Sequence, residues 1–231
     1  MALRWLTRHF SYDDPNSAVN RFRGNRHREF VAAIEAIPGN EPVRILDLGG
    51  GLRYWEKQGL PDRAIDLTLL NLGEPTSDDH DRAAALGHSV QVAQGDATSV
   101  DHPDMSFDVV FSNSVIEHVG SREAQFDFAN ETRRLAPRHY VQTPSFWFPL
   151  ESHTRIPLFS FFPKPLKALV IWKGKPRYYP PSESFGAAMK AVDFTLLLRY
   201  DHMQAYFPGS EIRRERVGFM TKSYTACAGF S

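Results

Sequence analysis

Residues 45–51 read Ile45-Leu46-Asp47-Leu48-Gly49-Gly50-Gly51, an apolar strand that ends in an acidic residue and runs straight into three glycines. Glycine accepts φ > 0 and lets backbone approach a ligand, and the N-terminus of a following helix presents unpaired N–H groups. Such a strand-to-helix turn is how a parallel α/β sheet opens a nucleotide pocket. The dinucleotide fingerprint G-x-G-x-x-G does not fit, because Tyr54 stands where its third glycine belongs. The pattern here is Asp-x-Gly-x-Gly, carried by Asp47, Gly49 and Gly51.

Outward from this turn, strand-length apolar runs recur at 43–48, 65–70, 88–93, 107–111 and 139–143. Two further strands are expected near Glu211–Val217 and Ser223–Ala228, as a hairpin-like pair. The alternation predicts an α/β fold: a Rossmann-like, seven-stranded, mostly parallel sheet with helices on both faces. The clearest helix spans Arg122 to Ala136 and stops at Pro137. Residues 1–40 read as an N-terminal arm and a helix capped by Ser17 and ended by Pro38-Gly39, part of the same domain as 41–231. Arg21, Arg23, Arg26 and Arg28 form either a solvated helix face or a lid over an anionic ligand.

Residues 144–181 break the rhythm, with Phe146, Trp147, Phe148, Phe159, Phe161, Phe162, Trp172, Tyr178 and Tyr179 interrupted by Pro149, Pro157, Pro163, Pro165, Pro176, Pro180 and Pro181. Regular structure is not expected through so many prolines. The segment reads as an insertion after the fifth strand that roofs the ligand edge.

Lys+Arg and Asp+Glu are both 27, so no global field favours nucleic acid. Cys227 is the only cysteine, which excludes an internal disulfide and a Cys-rich zinc site; it reads as a small apolar residue in a strand. No stretch approaches the roughly 18 apolar residues of a membrane span. Met1–Phe10 carries Arg4, Arg8 and His9 and lacks the apolar core of a signal peptide, so the expected location is cytoplasmic.

Three motifs, ILDLGGG at 45–51, GDAT at 95–98 and FDVVFSNSVIEHV at 107–119, together resemble the class I S-adenosylmethionine (SAM)-dependent methyltransferases, in the broad type 11 family, over about residues 43–145. The resemblance implies SAM as cofactor. It places the turn of Asp47, Gly49 and Gly51 under the methionine part and Asn71 at the ribose. Asp96, with Ala97 beside it, falls at the adenine amino group, and Ser112 and Asn113 at the methyl-donor centre. SAM carries a sulfonium, a zwitterionic amino acid, a diol and an adenine, so acceptors at several strand ends suit it. Two positions depart from the family. Arg53 replaces a motif glycine and either binds the SAM carboxylate or points to solvent. Asn71 replaces the usual acid, with Glu74 three residues on, and makes a weaker neutral bond to a diol.

Some related methyltransferases hold a divalent ion with Glu-x-x-Glu-His. Here the run is Ser114-Val115-Ile116-Glu117-His118, which lacks the first ligand and would need His153 or Glu151 to replace it; no metal is assigned. Residues 142–159, QTPSFWFPLESHTRIPLF, also resemble a bacterial group with a Thr-Pro-x-x-x-x-Pro-x-Glu-x-His signature, and 211–226 resemble its closing strands. His153 is the expected general base, with Glu151 orienting it and His118 as the competing base. Two apart in sequence, Glu151 and His153 share a face in extended backbone.

The expected activity is methyl transfer, most simply to oxygen, on a small-molecule, glycan or lipid-linked acceptor. Trp147, Trp172 and nearby phenylalanines beside Lys164, Lys167, Lys173 and Lys175 suit an interfacial belt, hence peripheral contact with the inner membrane face. Two rivals are a SAM-binding partner protein without catalysis, favoured by Arg53 and Asn71, and a nicotinamide oxidoreductase, disfavoured by Tyr54.

Overall fold

Period-two alternation along β1 (Val43–Leu48) divides the core between the two faces of a sheet. Val43 and Ile45 pack on one side with Phe30, Ile34, Leu52 and Trp55, and Leu46 and Leu48 pack on the other with Phe128, Ala129, Met203 and Phe207. The computed structural model that shows this describes residues 17–87, 89–151, 153–174, 176 and 182–230. The arm with Arg4, Arg8 and His9 lies outside the described residues, as do Lys175, Tyr178, Tyr179, Pro180 and Pro181 of the roof.

The first side is covered by α1 (Ala18–Glu35), α2 (Leu52–Gln58) and α3 (Ser77–Ala84), and the second by α4 (Arg122–Leu135) and α7 (Tyr200–Tyr206). Ser17 caps α1 as expected, its hydroxyl accepting from the Asn20 N–H at 3.2 Å. The remaining strands are β2 (Ile65–Asn71), β3 (Ser89–Gln94), β4 (Val109–Asn113), β5 (Arg138–Pro144), β6 (Glu211–Val217) and β7 (Met220–Ala228). Their order is β3-β2-β1-β4-β5-β7-β6. β1 to β5 are parallel, and β7 runs antiparallel between β5 and β6. Strand order therefore reverses between β1 and β4, and the crevice beyond their carboxyl ends is the place where such sheets bind ligands. Cys227 is a buried, free thiol on β7, opposite Tyr140.

The roof corrects one expectation, since it contains α5 (Lys164–Gly174) and, just beyond residue 181, α6 (Phe185–Phe194). Prolines bracket α5 without entering its interior. Pro165 sits in the first turn, where an N–H would lack an intrahelical partner anyway, and Pro176 follows the end. The Pro163 carbonyl accepts from the N–H groups of Leu166 and Lys167 at 2.9 and 3.0 Å, starting the helix. α5 and α6 bury a small core of their own, Phe159, Ala168, Ile171 and Ala188. Four bonds tie the segment after α6 to the main body. Leu196 N–H donates to the Glu117 carbonyl at 2.8 Å and Phe146 N–H to the Leu198 carbonyl at 2.9 Å. Gln125 and Arg122 donate to the Leu196 and Leu197 carbonyls at 2.8 and 3.2 Å.

Candidate active site

The glycine turn is held from beneath. Gly49 has φ +74, and a Cβ there would run into Val115, while a Cβ on Gly50 would enter the Asp47 carboxylate. Asp47 is fully buried and accepts from Trp55 Nε1 at 2.8 Å through one oxygen; the other has no hydrogen-bond partner among the described residues. Burial, partly offset by the indole bond, pushes its pKa up to about 7. Asp47 thus backs the turn and does not line a cleft. Asn71 spends its amide N–H on the Gly50 carbonyl, clipping the turn to β2.

In front of the turn lies a cleft of about 550 Å³, lined by Gly50, Gly51, Leu69, Asn71, Glu74 and Asp79 among others. Glu74 and Asp79 bring carboxylates to a cleft where Asn71 stands in place of the usual acid. Asp79 escaped the sequence reading, although the Thr76-x-x-Asp79 spacing that caps α3 signals its position. Arg53 is exposed on α2 and lies outside the residues lining this cleft. Asp96 is exposed beyond β3, one oxygen accepting from the N–H and hydroxyl of Thr98 at 2.8 and 2.7 Å, which fixes the carboxylate. Ala97 packs against the core. Ser112 is buried and donates to the Leu48 carbonyl at 2.8 Å, joining β4 to β1. Asn113 accepts from Arg26 at 3.4 Å.

Beyond β4 and β5 a second cleft of about 660 Å³ is lined by Arg23, Arg26, Ser114, Gln142, Phe148, Glu151, Arg155 and Lys222, with others. The arginine cluster of α1 divides here: Arg21 and Arg28 are exposed, whereas Arg23 and Arg26 turn inward. Arg26 donates through one nitrogen to both oxygens of Glu215 at 2.8 Å, and Lys222 reaches Glu215 at 2.7 Å. Burial and the Arg26 charge lower the Lys222 pKa to about 8 against the pull of Glu215. Glu215 and Lys222 are site residues that sequence reasoning missed. Only the placement of β7 beside β5 brings them to this edge.

A third group stands where β4 ends. Ser114 adopts φ +60, an uncommon conformation for a side-chain-bearing residue, and turns the chain into the short 3₁₀ segment Ile116–His118. This tucks Glu117 inside, fully buried, with one oxygen accepting from the Thr143 hydroxyl at 2.9 Å. Its other oxygen has no hydrogen-bond partner among the described residues and lies 4.0 Å from His118 Nε2. His118 Nε2 is 2.9 Å from His153 Nε2, and His153 Nδ1 is 2.6 Å from Glu151. All three catalytic candidates are therefore brought together. Glu151 and His153 meet through a turn, not through extended backbone, because the Glu151 carboxylate also accepts from the N–H groups of His153 and Thr154 at 3.1 and 2.6 Å.

Burial opposes charge on every member of this group. It raises Glu117 to about 7, against the nearby His153 charge, and lowers His118 to about 4, helped by His153. Burial likewise works against the Glu151–His153 pair, but their bond outweighs it, leaving the Glu151 pKa below and the His153 pKa above the ordinary value. Charge thus concentrates on the Glu151–His153 pair, next to a neutral His118.

Residues 46–138 match a family described as a methyltransferase domain. A stretch of 101 residues is 32% identical to phosphoethanolamine N-methyltransferase 1 of Arabidopsis thaliana, covering 43% of this chain and 20% of that enzyme. The chain therefore spans about a fifth of the length of this curated relative. The PH0226 protein of Pyrococcus horikoshii OT3 superposes with a TM-score of 0.51 at 15% identity, covering 93% of this chain and 92% of the other. The CurJ carbon methyltransferase gives 0.57 at 12% identity over 89% of this chain and 53% of its own. At such identities the two structures show a shared fold.

Proposed function

We propose, from the premise that this chain belongs to the class I SAM-dependent methyltransferases, that it methylates a hydroxyl of a small-molecule, glycan or lipid-linked acceptor seated in the cleft beside Arg26 and Lys222. The observation that carries the reading is two clefts on one sheet edge, with the Glu151 carboxylate lining the second and bonded to an imidazole pair. The donor cleft suits SAM: side-chain-free Gly50 and Gly51 open it, and Glu74 and the Asn71 amide oxygen supply acceptors for a diol; Asp96, after β3 and outside the residues lining the cleft, holds a fixed carboxylate for an amino group. When bound, SAM supplies an electrophilic methyl group on sulfur.

The chain's own groups do the rest. Arg26 borders the donor side and pairs with Glu215, a carboxylate that it shares with Lys222. Ser114, Gln142 and Ser223 offer neutral hydrogen bonds that orient a polyol, and Phe148 and Leu150 offer an apolar wall. The acceptor proton passes to the imidazole pair, whose uncharged member is His118, and Glu151 accepts the Nδ1 proton of His153 and so fixes the orientation of that ring. Positioning supplies much of the rate in such a displacement.

Binding tests the donor half directly. SAM and S-adenosylhomocysteine at about 100 times their Kd are expected to stabilise the fold by roughly 2.7 kcal/mol in thermal-shift measurements. Silence with both, in calorimetry as well, overturns the reading.

A second observation bears on the acceptor's setting. Trp147, Leu158, Phe161, Leu166, Leu169, Phe185 and Phe194 are all exposed large apolar residues of the roof and α6, with Lys164, Lys167 and Lys173 among them. No described helix is long and apolar enough to cross a membrane. We infer peripheral contact with an anionic lipid surface, rings at headgroup depth and lysines outward. Vesicles containing phosphatidylglycerol are expected to pellet the protein at low salt and release it at high salt, with Trp147→Ala weakening the effect. Protein that stays in the supernatant at low salt refutes the contact.

A further inference from the structure

We propose that Glu117, His118 and His153 form a site for one first-row divalent cation of the zinc, cobalt or ferrous kind. Their donor atoms, one carboxylate oxygen and two imidazole nitrogens, all lie within 4.8 Å of one another. Two nitrogens bound at about 2.0–2.1 Å to one ion stand roughly 2.9 Å apart at the right angle of octahedral coordination and roughly 3.3–3.4 Å apart at a tetrahedral angle, so a tetrahedral ion parts the imidazoles by about 0.5 Å. The Nε2 atoms of His118 and His153 are separated by 2.9 Å. The Glu117 oxygen lies 4.0 Å from His118 Nε2 and within 4.8 Å of the His153 donor atom, and rotation of the glutamate side chain brings it onto the ion.

Burial argues the same way. Glu117 is fully buried, and the oxygen facing the histidines has no hydrogen-bond partner among the described residues. A buried carboxylate oxygen without a partner is costly, and a cation removes that cost. The surroundings are built as the outer shell of a metal site: Glu151 accepts the other ring proton of His153 at 2.6 Å, and the Thr143 hydroxyl holds the second oxygen of Glu117 at 2.9 Å. Two imidazoles and one carboxylate suit zinc, cobalt and ferrous ions better than magnesium or calcium. His118 remains a third exposed, so open coordination positions face outward for water or an acceptor oxygen. Binding releases the proton now shared between the two Nε2 atoms, and the Nδ1 proton stays with Glu151. The third ligand is His153 of the roof, 35 residues from His118, one of the two replacements that the sequence offered for the ligand missing at Ser114 although it assigned no metal.

The site uses the same imidazoles as the proposed base: an ion on both Nε2 atoms leaves neither free to accept a proton, so the ion-bound form acts on the acceptor oxygen directly, and the test needs no SAM. The 231-residue protein, stripped with a chelator, is titrated with Co2+, and the expected result is visible d–d absorption saturating at one equivalent and displaced by Zn2+. His118→Ala is expected to abolish the absorption and Glu151→Gln to weaken binding by roughly 10- to 100-fold. Asp96→Ala, outside the cluster, is expected to leave it unchanged. If His118→Ala does not fold, His118→Gln replaces it, with folding checked by circular dichroism. No cobalt spectrum in the parent protein, an identical spectrum in a folded His118 variant, or a cobalt spectrum displaced by Mg2+ as readily as by Zn2+ overturns the proposal.

Discussion

His153→Ala is expected to lower kcat by roughly 100-fold or more while leaving SAM affinity unchanged, the usual scale for a positioned proton acceptor. The side chain joins two partners at once, Glu151 at 2.6 Å and His118 at 2.9 Å, and alanine severs both. It is not among the residues that line the donor cleft, so cofactor binding has no reason to change. His118→Ala leaves the Glu151–His153 bond intact and is expected to cost less. Single-turnover transfer of a labelled methyl group, paired with calorimetric titration of SAM, measures the two quantities separately. Turnover by the folded variant at the parental rate makes His153 structural. Metal content of both proteins then distinguishes loss of a base from loss of a bound ion.

Asp47→Asn is expected to stabilise the protein at pH 8 by up to about 4 kcal/mol, the free energy of a shift from an ordinary carboxylate pKa to about 7. Because the folded pKa is raised, this group's contribution is fully present below about pH 4. It is lost as pH rises through the window from about 4 to 7, where the native state keeps a proton that the unfolded chain gives up. Asparagine is neutral throughout and can still accept from Trp55 Nε1 through its amide oxygen, although its amide N–H groups then need partners of their own. The gap between variant and parent should therefore widen from pH 5 to pH 8 in denaturant unfolding. An equal gap at both values would mean that Asp47 is ionised in the native state throughout.

The strands were legible because each is a short apolar run between breakers: β1 is Val43–Leu48 as read, and β6 is Glu211–Val217 as read. The boundary of β4 was not, since Phe107 belongs to the core but precedes the ladder that begins at Val109. In the candidate site, the structure brings together the His118, Glu151 and His153 named from chemistry and from the family resemblance. Neither revealed that Asp47, Ser112 and the Asn71 amide are occupied by Trp55, Leu48 and Gly50, because hydrogen bonds between distant strands leave no mark on local spacing. Lys222 and Glu215 escaped for the same reason, and α5 was hidden by counting prolines instead of placing them.

The separate packing of the roof has a consequence for how such a protein can diversify. Phe159, Ala168, Ile171 and Ala188 close on one another, while the donor cleft is built from the turns after β1 and β2 and the start of α3. Substitutions that reshape one layer need not disturb the packing of the other. On the proposed function, the roof side of the acceptor cleft, Phe148, Leu150 and Arg155, is free to change while the turns after β1 and β2 are inherited intact, a division of labour between a fixed reagent holder and a variable wall.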